Sequence, residues 1–376
     1  MRPSPHDGAV CLTVERLCLY EWATAGGLDG PEGHAVTTDS GVADAVRQEG
    51  LAMLTALAGE AAASSRFTTR VLLGAGVPFS PPAGVSVVRI PRGREGDGLL
   101  TAASASDWLV VVAPETAGIL ARRLHSLSSR GCRLASPTAA FAALAADKQA
   151  TMLALAAAGV PVPAGRLLRA GSCPPPGFRL PMVRKRVDST GCDGLVMIES
   201  PADAGGPAVH DERLEASVEG LPVSVSLLCG KACLLPLPPV IQQFSQGRSP
   251  AYLGGRLPVP ASLVPRAHQL AVRAIRAMAR ASQNGDGGPA PAAGWVGVDM
   301  ILADREDGRG DRVLEINPRV TTSLVGLAQC SKVNLIDAMI LAAAGGVPSL
   351  AFRDLSTAPC QFAARPSSRS TLVEPT

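Results

Sequence analysis

The sequence predicts an α/β protein with a parallel sheet, covered by helices on both faces, in its N-terminal third and a second α/β region after it. Three observations carry that reading. Short, fully apolar, β-branched runs alternate with Ala- and Leu-rich helical stretches through residues 1–135. At Ser136-Pro137 the pattern changes to a long helix followed by a basic strand. Late in the chain, a hairpin carries acids inside otherwise apolar strands. A strand that is apolar at every position has no wet face, so such runs belong to parallel sheets with helices on both sides.

The N-terminal elements follow in order. LTVERLCLYEW (12–22) opens with a strand, and residues 42–63 have helical composition with few breakers. TRVLLGA (69–75), VSVVRI (85–90) and DWLVVVAP (107–114) are further strands. ETAGILARRLHSLSSR (115–130) has apolar residues at helical spacing, with Gly131 as its stop. Ser136 caps a helix with Pro137 at its first position, and that helix is expected to run to Ala158 and stop at Gly159. A Pro/Gly-rich loop (171–177) precedes the strand PMVRKRV, and 201–208 and 282–294 read as exposed loops. The chain after 354 has little pattern and is expected to be a disordered tail.

Composition narrows the function classes. With 376 residues, two to three domains are expected; 47% hydrophobic and 18% charged residues support sizeable cores rather than disorder. A net charge of +3 and only 3% aromatics leave neither a basic stripe nor stacking platforms, so nucleic acid is not an expected partner. MRPSPHDGAV lacks signal-peptide architecture, and even the Ala-rich run 138–158 is broken by Asp147 and Lys148, so no membrane span is expected. Nine cysteines, an odd number without framework spacing, read as small buried hydrophobes in a reducing compartment, and the protein is expected to be cytoplasmic.

The chemistry concentrates in WVGVDMILADREDGRGDRVLEINPRVTTSLVGL (295–327). Two strand-like runs flank a DREDGRGD turn, so the segment reads as a hairpin. Asp299 lies in the first strand; Glu315 and Asn317 end the second and, two apart, face the same side. Two carboxylates and an amide oxygen suit a hard cation, Mg²⁺ or Mn²⁺, that also takes phosphate oxygens. Arg319 would set a fixed cation beside that metal, where a transferring phosphoryl group gathers charge. Read by spacing alone, the acids are equally an ordinary charge pair and Asn317-Pro318 an ordinary turn.

EINPRVTTSLVGL closely resembles the closing motif of the ATP-grasp superfamily, Glu-x-Asn-x-Arg after a strand. The resemblance implies an ATP-grasp fold preceded by a parallel-sheet pre-ATP-grasp domain, with Asp299, Glu315 and Asn317 as metal ligands. The Val-Thr-Thr-Ser extension looks most like the tyramine–glutamate ligase branch of methanofuran biosynthesis and its bacterial relatives in one-carbon metabolism. Upstream, Asp147-Lys148 resembles the family's Asp-Lys, whose lysine touches the ATP phosphates. Arg184-Lys185-Arg186-Val187-Asp188-Ser189-Thr190-Gly191-Cys192-Asp193-Gly194 resembles its strand and glycine loop. Lys185 would then hold phosphate, and Asp188, Ser189, Gly191 and Gly194 would close over it. Arg186 replaces a proline, Ser189 a glycine and Cys192 a residue that is often glycine, which implies a stiffer loop. Glu215 falls at the first position of the hinge motif, in a segment expected to contact adenine, and Ser224–Ser226 match the strand after it. Tyr252-Leu253-Gly254-Gly255 resembles a loop near the acceptor site.

The expected division is 1–135 pre-ATP-grasp, 136–225 opening helix and lid, and 226–353 catalytic subdomain, with 354–376 as the tail. The resemblance implies an enzyme that uses ATP and Mg²⁺ (or Mn²⁺) to activate a small-molecule carboxylate as an acyl phosphate and joins it to an amine. Glutamate is the expected donor and an aromatic or small primary amine the acceptor; a homodimer is compatible with the chain. Glu21 and Glu115, acids at strand ends, would bind the amine or simply cap loops, and Trp22, Tyr252 and Trp295 are candidate walls for an aromatic acceptor. Two alternatives are a bicarbonate-activating carboxylase and an ATP-binding regulatory protein without catalysis.

Overall fold

Leu17 and Leu19 on one side of the first strand, and Cys18 and Tyr20 on the other, are all fully buried, which is why that strand shows no polar alternation. The structure is a computed structural model and describes residues 14–365 except 38, 176, 178, 192, 193 and 284–289. Cys192 and Asp193 of the glycine loop, residues 284–289 of the 282–294 stretch and the tail beyond 365 therefore lie outside the described residues.

The N-terminal region runs β1 (Glu15–Glu21), α1 (Pro31–Val36), α2 (Ser40–Ala62), β2 (Phe67–Gly74), β3 (Val85–Ile90), α3 (Glu95–Ser104), β4 (Trp108–Val112) and α4 (Ile119–Ser128). Its strands form an all-parallel sheet in the order β3-β2-β1-β4. Leu54 and Leu57 of α2 pack on one face, and Leu99 of α3 with Leu120 and Leu124 of α4 on the other. The doubly covered parallel sheet read from the sequence is what is found. The short α1 and the Gly-rich α3 carried no such signal. In α3, Gly98 is small because Ile90 packs directly on it.

The expected helix up to Ala158 is two helices, α5 (Ala139–Ala146) and α6 (Lys148–Ala157), capped by Thr138 and Asp147 rather than by Ser136. Its stop is as expected. Gly159 is left-handed (φ 71°), and Val160 N–H donates to Leu155 O at 2.9 Å, closing a Schellman turn. Next come β5 (Gly165–Leu168), β6 (Met182–Arg186), β7 (Val196–Ile198) and β8 (Glu212–Ala216), a small antiparallel sheet in the order β5-β8-β6-β7.

The large sheet is built from β9 (Leu221–Cys229), β10 (Leu234–Pro236), β11 (Val240–Phe244), β12 (Tyr252–Leu257), β13 (Gly294–Leu302), β14 (Arg312–Asn317) and β15 (Cys360–Ala363). Its order is β14-β13-β9-β11-β12-β15, with β10 beside β9. α7 (Val264–Ala281) covers one face, while α8 (Ser323–Cys330) and α9 (Leu335–Ala343) cover the other. β15 corrects the expected patternless tail: residues 360–363 pair with β12 from Leu257 to Gly254. Among the described residues, no helix is long and apolar enough to cross a membrane.

Candidate active site

The site's floor is the β9–β13–β14 ladder. Asp299 stands opposite Glu315 on one side and Ser224 on the other, and Gly297 opposite Asn317. Asn317 Nδ2 donates to Asp299 Oδ2 at 3.0 Å. Burial, then repulsion from Glu315, pushes the Asp299 carboxyl up to about 6, although Ser224, Asn317 and Gln242 pull it back. Two adjacent carboxylates in a poorly solvated place call for a cation. An all-oxygen set of two acids and one amide fits Mg²⁺ or Mn²⁺, so the three residues singled out from the sequence are brought together as a metal site would require.

Lys148 owes its position to the break between α5 and α6. Asp147 leaves the helical region (φ −95°, ψ 101°) and its side chain accepts from Ala150 N–H at 2.9 Å. Lys148 N–H then donates to Val187 O at 2.8 Å, tying the helix start to the end of β6. The side chain, only 3% exposed, donates to the Ser189 carbonyl and lies 2.9 Å from Glu315. It is a buried cation beside an acid of the floor, not a solvated charge.

Lys185 lies in β6, flanked by Arg184, which binds Glu212 and the Ala204 and Gly206 carbonyls, and by Arg186, which binds Asp188. The alternation of a strand sends Lys185 the other way, into the cleft, where it contacts Glu215 at 2.5 Å and donates to Leu314 O at 3.3 Å. Glu215 is shared with Arg213 at 2.7 Å and is 3% exposed, so its carboxylate is engaged with these two cations.

Arg319 is 7% exposed and grips Glu115 with Nε at 2.9 Å and Nη2 at 3.4 Å. Thr190 Oγ1 donates to the same carboxylate at 2.9 Å, and Asp188 accepts from Ala117 N–H at 3.4 Å. The glycine loop is thus docked on the end of β4, with Gly191 and Gly194 left-handed at φ 64° and 70°. Ser189 is buried beneath it. Glu21, also buried, accepts from Ala23 and Thr24 N–H, the loop-capping alternative; burial raises its carboxyl, against those hydrogen bonds and Arg319.

Of these groups, Lys148, Lys185, Thr190, Gly191, Gly194, Asp299, Glu315, Asn317 and Arg319 line a cleft of about 600 Å³, while Glu21, Glu115, Asp188, Ser189 and Glu215 stand behind its wall. Of its further walls, Phe244 and Glu49 were not marked in the sequence, whereas Tyr252 and the Thr-Thr-Ser run were. Thr321, Thr322 and Ser323 bring the start of α8 to the cleft, and the Thr321, Ser323 and Ser226 hydroxyls form a closed hydrogen-bonded set at 2.6–3.3 Å. Phe244 and Tyr252 line it as a pair with centroids 5.8 Å apart. Glu49 of α2 also lines it; burial raises its carboxyl, with Arg319 and Arg365 opposing and Glu115 adding.

Two expectations are corrected. Trp22 and Trp295 are core residues, 0% and 1% exposed, and only Tyr252 of the three aromatics reaches the cleft. Gly254 and Gly255 serve the packing of β15: a Cβ at Gly254 (φ 135°) would meet Phe362 O at 2.1 Å, and one at Gly255 would meet Val240 at 2.4 Å.

Comparison with known proteins adds the family. Residues 76–141 match the pre ATP-grasp 3 domain and residues 145–323 the ATP-grasp domain. No curated protein matches the chain. Among solved structures, an ATP-grasp superfamily protein from Archaeoglobus fulgidus aligns at 20% identity and TM-score 0.61, covering 89% of each chain. The N5-carboxyaminoimidazole ribonucleotide synthetase of Thermus thermophilus aligns at 19% and 0.57, over 90% of this chain and 79% of that one. The D-alanine–D-alanine ligase of Bacillus anthracis, solved with ATP, aligns at 14% and 0.55, over 88% and 97%. With the pre ATP-grasp 3 match followed directly by the ATP-grasp match, together spanning most of residues 76–323, the chain belongs to the ATP-grasp superfamily.

Proposed function

We propose that this protein is an ATP-dependent carboxylate–amine ligase. One observation carries the reading: Asp299, Glu315 and Asn317 set two carboxylates and an amide on the floor of a cleft that also receives three buried cations, Lys148, Lys185 and Arg319. Mg²⁺ bound to that floor would supply Lewis-acid neutralisation of phosphate oxygens. Lys148 and Lys185 hold the triphosphate as point charges, exchanging their present partners Glu315 and Glu215 for it. Asp188, Ser189, Gly191 and Gly194 form the loop that covers it. Arg319 meets the charge that builds up as a substrate carboxylate oxygen attacks the γ-phosphorus and ADP leaves. An amine nitrogen then displaces phosphate from the acyl phosphate. The chain's part is positioning and charge compensation.

Within this class, glutamate is the proposed acyl donor, which would put the protein beside the tyramine–glutamate ligases of one-carbon cofactor synthesis. The motif Glu315–Leu327 and the fork of Arg319, suited to a carboxylate, support it. A second reading, bicarbonate activation, is favoured by the fold shared with the N5-carboxyaminoimidazole ribonucleotide synthetase. The test is ADP release from Mg-ATP with glutamate and a panel of primary amines, each alone and in pairs. Release that needs both partners supports the ligase. Release driven by bicarbonate in place of the carboxylate identifies the second reading, and release with no stimulation by either sinks both.

A further inference from the structure

Beside the main cleft lies a smaller recess of about 80 Å³, set between α2, the ends of β1 and β4, and the glycine loop. Its wall is largely aliphatic, with Val36, Val42, Val46 and Met53 on the helical side. Glu49, Thr190, Gly191 and Arg319 line both spaces, so the recess opens on the cleft at the rim where the phosphoryl group is handled.

Three acids stand around this rim, and two are occupied. Glu21 is held by the Ala23 and Thr24 amides, and Glu115 by Arg319 and Thr190. Glu49 differs. It is partly buried and has no hydrogen bond or ion pair among the described residues, although Arg319 and Arg365 lie close enough to favour its charge. A partly buried carboxylate with no protein donor gives up part of its hydration, and a primary ammonium brings three donors to replace it. The recess also limits size. An enclosed protein cavity of about 150 Å³ takes benzene; this recess, at about 80 Å³ and open to the cleft, fits an apolar group of about three carbons, and a phenol ring would have to lie out in the cleft.

We propose that this recess seats the amine substrate, a primary amine on a short branched aliphatic chain, with its ammonium on Glu49 and its alkyl group among Val42, Val46 and Met53. The inference rests on the ligase reading and narrows its acceptor. It places the nitrogen at the mouth shared with the cleft, where an activated carboxylate would be formed.

Calorimetry on the full chain tests it, with isobutylamine and tyramine as probes and Mg-ADP titrated in parallel. The wild type is expected to bind isobutylamine at least tenfold more tightly than tyramine. Glu49→Gln, which keeps the side chain's shape, and Val46→Phe, which fills the recess, are each expected to weaken isobutylamine at least tenfold while Mg-ADP still binds. Unchanged isobutylamine affinity in both variants, tighter binding of tyramine, or no amine binding by a wild type that binds Mg-ADP overturns the proposal. Failure of the wild type to bind Mg-ADP overturns the ligase reading itself, and this inference with it.

Discussion

Asp299 and Glu315 face each other across β13 and β14, and Glu315 also neutralises Lys148. Glu315→Ala removes one of two anionic donors and leaves β14 paired. Turnover is expected to fall at least about a hundredfold, the scale seen when transition-state charge stabilisation is lost, in a protein whose circular dichroism is unchanged. Near-normal turnover would remove Glu315 from the site. Glu21 makes a different prediction. Burial raises its carboxyl above the ordinary 4.5, so the folded state holds that proton more tightly than the unfolded chain. Its contribution to stability is complete below 4.5 and is lost as pH rises through the raised folded value. Glu21→Gln cannot titrate, so the melting temperature of the variant minus that of the wild type is expected to be larger at about pH 7 than at about pH 4. The opposite trend would contradict the assigned burial. At this scale the floor was legible, because acids inside apolar strands need a reason. Glu49 was not, because a carboxylate on α2 near Asp44 and Arg47 looks like part of a solvated face. The engagement of Glu115 by Arg319, 204 residues away, has no sequence signal at all.

The break at Asp147 shows how an element places a side chain. The run from 138 to 158 contains neither Gly nor Pro, so a single helix was expected; only the cap on Ala150 and the Lys148–Val187 bond interrupt it. Asp147→Ala is expected to cost about 1 kcal/mol of stability as a lost N-cap and to weaken ATP binding by letting Lys148 drift. Calorimetry and a melt on the same preparation check both, and unchanged ATP affinity would detach the cap from the site. β15 was missed for a related reason. A four-residue edge strand after a long loop has no periodicity to read, and its partner glycines resemble a substrate loop. Gly254→Ala sets a Cβ against Phe362 O and strains a φ of 135°, so about 1–3 kcal/mol of destabilisation is expected from overpacking. A wild-type denaturation midpoint would show that β15 is not packed there.

Across the whole molecule, α2, α8 and α9 join the two sheets through one continuous core. Leu54 and Leu57 of α2 lie in the same cluster as Leu324 of α8 and Met339 of α9, and as Leu19 of the parallel sheet and Leu228 of the large sheet. The sequence division at residue 135 marks a change of pattern rather than a break between independent cores, because apolar stripes do not declare their partners. That shared core brings Glu49 and Glu115 of the N-terminal region to the same rim as Arg319 and the glycine loop. The ligase reading depends on this junction, since both substrates must meet where the phosphoryl group is transferred. The most direct measurement follows oxygen: ¹⁸O-carboxylate-labelled glutamate with Mg-ATP and isobutylamine, and the phosphate analysed by mass spectrometry. Transfer of one ¹⁸O from the carboxylate to inorganic phosphate, with ADP and the amide formed in equal amounts, is the expected result. ADP and phosphate released without label in the phosphate, for glutamate and for a panel of other labelled amino acids, would contradict carboxylate activation.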